Sequence, residues 1–195
     1  MPKDQTTTEE IYAKALPNQQ ELTLAANRLC KTDNPYEVRN QLILQEKKRQ
    51  ILYKNGVTLP AKAEQLQQEA ARKLRHARKL AANMHRADPN LQRHPDADAH
   101  HIVAAQDVRA ELSRLIMFNE GVGINDFANG CYTKRKKTSK VPHLPNSLPH
   151  ENIHTDVYHF AVYQRLLEIV GTGADECRAA LQKIAAKIVA GIFPY

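Results

Sequence analysis

The chain has 195 residues, 42% of them hydrophobic, which allows one or two domains with a sizeable core. Its net charge of +7 points to an acidic partner, nucleic acid being the commonest, while seven glycines and no tryptophan argue against a large all-β architecture. The three cysteines, Cys30, Cys131 and Cys177, are too widely spaced for a CxxC metal knuckle or a disulfide framework.

The first ~90 residues read as helices. Pro17 opens a segment with Leu22, Leu24, Ala25 and Leu29 on one side. Asp33-Asn34-Pro35 breaks and restarts the chain, because proline suits a first helical turn. The next helix is expected to carry Val38, Leu42, Ile43, Leu44, Ile51 and Leu52, with Asn55-Gly56 as its C-cap. After Pro60 a long helical pattern runs from Ala61 to about Ala87. Between Arg72 and Arg86 it holds six lysines and arginines and no acidic residue. Such a run is either a solvated helix face or a phosphate-tracking surface, and the missing acidic partners favour the second. Arg75, Arg78 and Lys79 are the expected nucleic-acid contacts on it.

Asp88-Pro89 to Pro95 interrupts the helical periodicity and marks the expected boundary, dividing a helical region 1–90 from a second domain 91–195. In that second half, Ala99 to Ala104 suits a strand. Ala105 to Asn119 has helical spacing through Val108, Leu112, Leu115 and Ile116. Gly130-Cys131-Tyr132-Thr133 can be a second short strand after the turn chemistry of Asn125 to Gly130. A basic, proline-containing loop follows from Lys134 to Pro149, then a helix to about Val170 and a last amphipathic helix from Ala174 to Ala190. The expected class is mainly α with a small β-hairpin, an α+β fold.

The chemistry concentrates in histidines. In an extended strand, adjacent His100 and His101 face opposite sides, so one can pack or ligate while the other reaches a substrate. His150 and His154 are four apart and can reach one ion, whether Pro149 starts a helix that includes both or Thr155 caps one that follows them. His159 lies five residues after His154, roughly 140° around a helix, and reads as packing or surface. His143 reads as a loop residue, and His76, His85 and His94 as members of no constellation. Lys134, Arg135, Lys136 and Lys137 form a second basic cluster, which is either a solvated loop or localisation-like patch or a surface for phosphate contact. Tyr158 stands one turn after His154 and can support it from behind.

Ala99-His100-His101, then Gly123 to Gly130 with its Asn129-Gly130 turn, then His150-x3-His154-x3-Tyr158 together resemble the AHH nuclease family, a branch of the HNH or ββα-metal endonucleases. The resemblance covers about residues 94 to 170 and does not reach the N-terminal helices. It implies a ββα-metal nuclease core followed by a C-terminal helix. It further implies that His100, His154 and His150 hold one divalent ion, Mg2+ or, as three imidazoles would favour, Zn2+ or another transition metal, that His101 is the general base, and that Asn129 or the turn around it orients that base or touches the metal. The implied activity is hydrolysis of phosphodiester bonds in nucleic acid, DNA more than RNA, as a bacterial toxin countered by an immunity protein. The alternative reading is a non-catalytic nucleic-acid-binding or interaction protein whose histidines form a structural metal site.

No apolar run reaches the ~18 residues of a membrane span, and the first ten residues lack the apolar core of a secretory signal. The expectation is a cytoplasmic protein, or one secreted into a target cell by a route independent of a signal peptide.

Overall fold

The computed structural model describes residues 34, 36–37, 39–40, 50–72 and 74–195. The chain divides into two compact units, Met1–Gln50 and Ile51–Tyr195. In the first, residues 36–37 and 39–40 are helical, and the Tyr36 backbone N–H donates to Asn34 Oδ1 at 3.0 Å, the cap expected of a helix restarting at Pro35. The segment predicted after Pro17, and the positions Val38 and Leu42 to Leu44, lie outside the described residues.

The second unit is α+β. It opens with a hairpin, not a helix end: β1 (Tyr53–Lys54) pairs antiparallel with β2 (Val57–Thr58). Asn55 and Gly56, read from sequence as a helix C-cap, are the hairpin turn, with φ of 50° and 81°. Two consecutive left-handed residues make a type I′ turn, whose twist matches that of the strands it joins.

The helical pattern expected from 61 to 87 is two helices, α1 (Ala63–Ala71) and α2 (His76–Ala87). Arg72 turns extended at φ −68° and ψ 143°, and its carbonyl then accepts from His76 Nε2 at 3.0 Å. From α2, Leu80 and Met84 pack with Tyr132, Val141 and Leu144, so this helix shares a core with the residues beyond 90. The boundary expected near residue 90 thus falls inside the unit Ile51–Tyr195.

Strand β3 (Ala97–His101) pairs antiparallel with β4 (Gly130–Lys134), in a register that sets His100 against Cys131 and His101 against Gly130. Between them, a 3-10 turn at Val108–Ala110 leads into α3 (Glu111–Asn119), and another at Phe127–Asn129 leads into β4. After β4 come the short α4 (His150–Ile153), α5 (Asp156–Leu167) and α6 (Ala174–Val189). Ile102, Val103, Ile124, Tyr158, Leu181 and Ile188 are among the buried residues of the main core. Fully buried Asp126 ties distant parts of it together. Its carboxylate accepts from the Thr58 backbone N–H at 2.8 Å and hydroxyl at 2.7 Å, and from Arg178 Nε of α6 at 3.2 Å. None of the described helices is long and apolar enough to cross a membrane.

Candidate metal centre and catalytic site

The strand period places the paired histidines as expected: His100 is fully buried, while His101 is half-buried. Two elements then carry His150 and His154 to His100. Lys134 at the end of β4 bridges to Pro149, which starts α4 with His150 as its first residue. Thr155 independently caps α5, its hydroxyl accepting from the Tyr158 backbone N–H at 3.1 Å. Both local starts allowed by the sequence are therefore used, and His154 sits in the link between two helices.

One nitrogen from each of His100, His150 and His154 lies within 4.8 Å of the others. The ring centroids are 5.2 Å apart for His100 and His150, 5.0 Å for His100 and His154, and 5.6 Å for His150 and His154. Outer contacts decide which nitrogens are left over. Tyr158 Oη is within 2.9 Å of the Ile102 carbonyl, which can only accept, so the phenol spends its proton there. It must then accept from His100 Nε2–H at 2.8 Å, which leaves His100 Nδ1 with its lone pair. That Nδ1, and Nδ1 of His154, are buried atoms with no hydrogen-bond partner. His150 turns its own Nδ1 toward Asp98 Oδ2 at 3.4 Å, and Asp98 in turn receives Arg135 Nη2 at 3.1 Å. A buried lone pair such as that of His100 Nδ1, left without a donor, costs free energy unless something electropositive meets it. The donor set fits a divalent transition metal, with Tyr158 and Asp98 as the outer groups that orient two of the imidazoles.

Electrostatics agree with that chemistry. Burial, then the neighbouring imidazoles, holds His100 well below the ordinary histidine value. Burial followed by His150 pushes His154 down to about 4. Both rings are therefore neutral at neutral pH, the form that ligates. Burial tends to raise Asp98, but hydrogen bonds from Arg135 and His150 outweigh it and keep the carboxylate ionised.

His101 has different neighbours. Its Nε2 lies 3.4 Å from Oδ1 of Asn125, a fully buried side chain, and its ring meets His76 edge-on at 6.4 Å. Burial pushes it down to about 4, so at neutral pH it is uncharged and keeps a nitrogen lone pair. Asn129 does not touch it among the recorded hydrogen bonds. The Asn129 amide instead accepts from the Val103 backbone N–H at 2.8 Å and donates to the carbonyls of Val103 at 3.1 Å and Ile124 at 2.9 Å. It clamps the loop after β3 to the loop before β4. The side chain that meets His101 is Asn125, four residues earlier.

The expected phosphate contacts divide. Arg75 and Arg78 are exposed on either side of His76, while Lys79 is engaged by Glu69 and lies over the Tyr53 ring. Lys136 and Lys137 are exposed, Lys134 Nζ donates to the Pro145 carbonyl at 3.0 Å, and Arg135 is paired with Asp98. Tyr132 is a core residue whose hydroxyl lies 3.1 Å from His85 Nε2.

Sequence reasoning missed four participants. Asp98 had a signal, since it is two residues before His100 and so on the same strand face. His159 stacks on His154 at 5.6 Å and an interplanar angle of 23°. Helical wheel spacing does not govern that pair, because His154 precedes the helix. His76 and Asn125 had no spacing that linked them to His101.

Residues 80–190 match the family model AHH, described as a nuclease family of the HNH/ENDO VII superfamily with conserved AHH. The match covers more than half of the chain and contains Ala99-His100-His101. No curated protein and no solved structure matches.

Proposed function

The chain belongs to the AHH nuclease family, and from that premise we propose that it is a metal-dependent endonuclease that hydrolyses DNA. The observation that carries this reading is the convergence of His100, His150 and His154 within 4.8 Å, with His101 as the next residue in the chain. On this reading β3, β4 and α5 are the ββα-metal core, with His150 contributed by α4. His100, His150 and His154 would hold the divalent ion, which when bound would neutralise the scissile phosphate and the departing 3′ oxygen. His101 takes the proton of the attacking water, for which a neutral and partly accessible imidazole is suited. Tyr158 and Asp98 keep His100 and His150 turned with a free nitrogen inward.

Basic groups lie in sequence or in contact beside both histidine groups. Arg75 and Arg78 border His76 beside His101, and Arg135 pairs with Asp98 beside His150. A nucleic-acid backbone laid along both groups would meet positive charge at each. Lys136 and Lys137 would extend that contact, whereas Lys79 and Lys134 are engaged within the protein. A toxin role, delivery into a target cell and a protective immunity protein are further parts of this reading, supported by the family resemblance alone.

The test is cleavage of plasmid DNA and of RNA by the purified chain with Mg2+, Mn2+ or Zn2+. His101→Ala is expected to lower the rate by about 10² to 10⁴ while leaving the protein folded. EDTA is expected to stop cleavage without unfolding Ile51–Tyr195. Full activity of folded His101→Ala removes the base assignment, and unfolding by EDTA favours a structural metal site. Only three histidines converge among the described residues, and an open coordination position is the mark of a catalytic centre.

A further inference from the structure

His76 lies outside the matched residues 80–190, yet it is buried beside the base. Its Nε2 is 3.0 Å from the Arg72 carbonyl, an acceptor only, so the neutral ring carries its proton there and presents a lone pair at Nδ1. Asn125 faces that lone pair with Nδ2 at 3.2 Å and Oδ1 at 3.3 Å. Of the two, only the amide nitrogen can donate to it. The amide oxygen is then the atom presented to His101 Nε2 at 3.4 Å, and an oxygen there accepts an N–H.

We propose that His76 is a positioning residue for the base: it fixes the amide of Asn125, which holds the His101 proton on Nε2 and leaves Nδ1 as the basic nitrogen. The proposal rests on the reading of His101 as the base. Without an acceptor at His76, the Asn125 amide has no reason to choose between its two flips. In the flipped form its NH2 would face His101 Nε2, draw a lone pair there, and move the ring proton to Nδ1. That tautomer has no base at Nδ1. Asn125 is fully buried, and its backbone carbonyl accepts from Asn83 Nδ2 at 2.7 Å, so the residue is held in place and the amide flip is the freedom that remains. The break of the helix at Arg72 acquires a purpose on this account, because the carbonyl there accepts from the His76 ring and so orients it.

The experiment reads the tautomer directly, from ring 15N shifts of histidine-labelled full-length protein without metal, alongside plasmid cleavage with Mg2+. In the wild type, His101 is expected as the Nε2–H form. His76→Leu should shift it toward Nδ1–H and lower kcat by about tenfold, a part of the general-base contribution, with KM unchanged. His76→Asn, whose Oδ1 can stand in for the lost Nδ1, should restore both. An unchanged His101 tautomer in folded His76→Leu overturns the proposal. If His76→Leu does not fold, Asn125→Asp decides. A carboxylate cannot donate, so His76 should move its own proton to Nδ1 and release the Arg72 carbonyl, and a His76 that keeps Nε2–H overturns the proposal. The tautomer readout needs no cleavage, so its failure is distinct from failure of the base assignment, which shows as full cleavage by His101→Ala.

Discussion

Tyr158 ties two parts of the candidate site together. One hydroxyl joins a backbone carbonyl of the loop after β3 to the imidazole of His100, and both partners are buried. The direction of each bond follows from the carbonyl, which has no proton to give. Tyr158→Phe keeps the ring, which packs edge-on against Phe193 at 5.5 Å, and removes only that oxygen. It strands a buried N–H and a buried carbonyl, a loss of about 1–3 kcal/mol in urea unfolding. His100 also loses the group that fixes its tautomer, so zinc affinity by competition titration should fall about 10- to 100-fold. An affinity equal to that of the wild type would show that the phenol does not orient the ligand. Asn129 makes the complementary point. Its amide bonds to backbone alone, so this asparagine secures the loops while Asn125 is the one that meets His101.

At the scale of elements, legibility followed how local the determinant is. The paired histidines on a strand, the strand at Gly130, and the helices after Thr155 and Gly173 are written in periodicity and caps, and all are present. The convergence of His100, His150 and His154 was also legible, because each spacing admits it. Asn55-Gly56 was ambiguous by nature, since left-handed residues serve helix ends and hairpin turns alike. What decided it lies far along the chain: the Gly56 carbonyl accepts from the Phe127 backbone N–H at 2.9 Å, and Thr58 reaches Asp126. Likewise His76 and Asn125 are 49 residues apart, and no local pattern connects them. The hairpin turn is correspondingly intolerant. A Cβ on Gly56 would stand 2.2 Å from the Asn83 backbone carbonyl oxygen, in addition to its φ of +81°. Gly56→Ala should therefore cost about 2–4 kcal/mol, combining left-handed strain with overpacking against backbone that cannot step aside. Urea unfolding of the full chain measures it, and a loss below about 1 kcal/mol would mean that the turn moves freely away from α2.

For the whole molecule, the histidine cluster couples stability to pH and, at the proposed metal site, should couple it to metal. His101 and His154 are held at about 4, and His100 well below its ordinary 6.5, chiefly by burial. Above pH 6.5 these rings are neutral in both the folded and the unfolded chain, and their contribution is constant. Below 6.5 the unfolded chain takes up protons that the folded chain refuses, so stability falls as the pH falls. For His101 and His154 the decline continues until about pH 4, where the folded rings charge as well. Taken alone, each ring would account for roughly 3 kcal/mol at the end of that window. A divalent metal held at the proposed site would need neutral imidazoles, and only the folded arrangement brings three of them together, so added metal should raise the urea midpoint at neutral pH. That gain should shrink across the same window as protons compete for the nitrogens. The measurement is a series of urea midpoints from neutral pH to about pH 4, with and without zinc. Stability that stays level across it, or a zinc increment that does not change with pH, would show that these imidazoles are not held neutral by the fold.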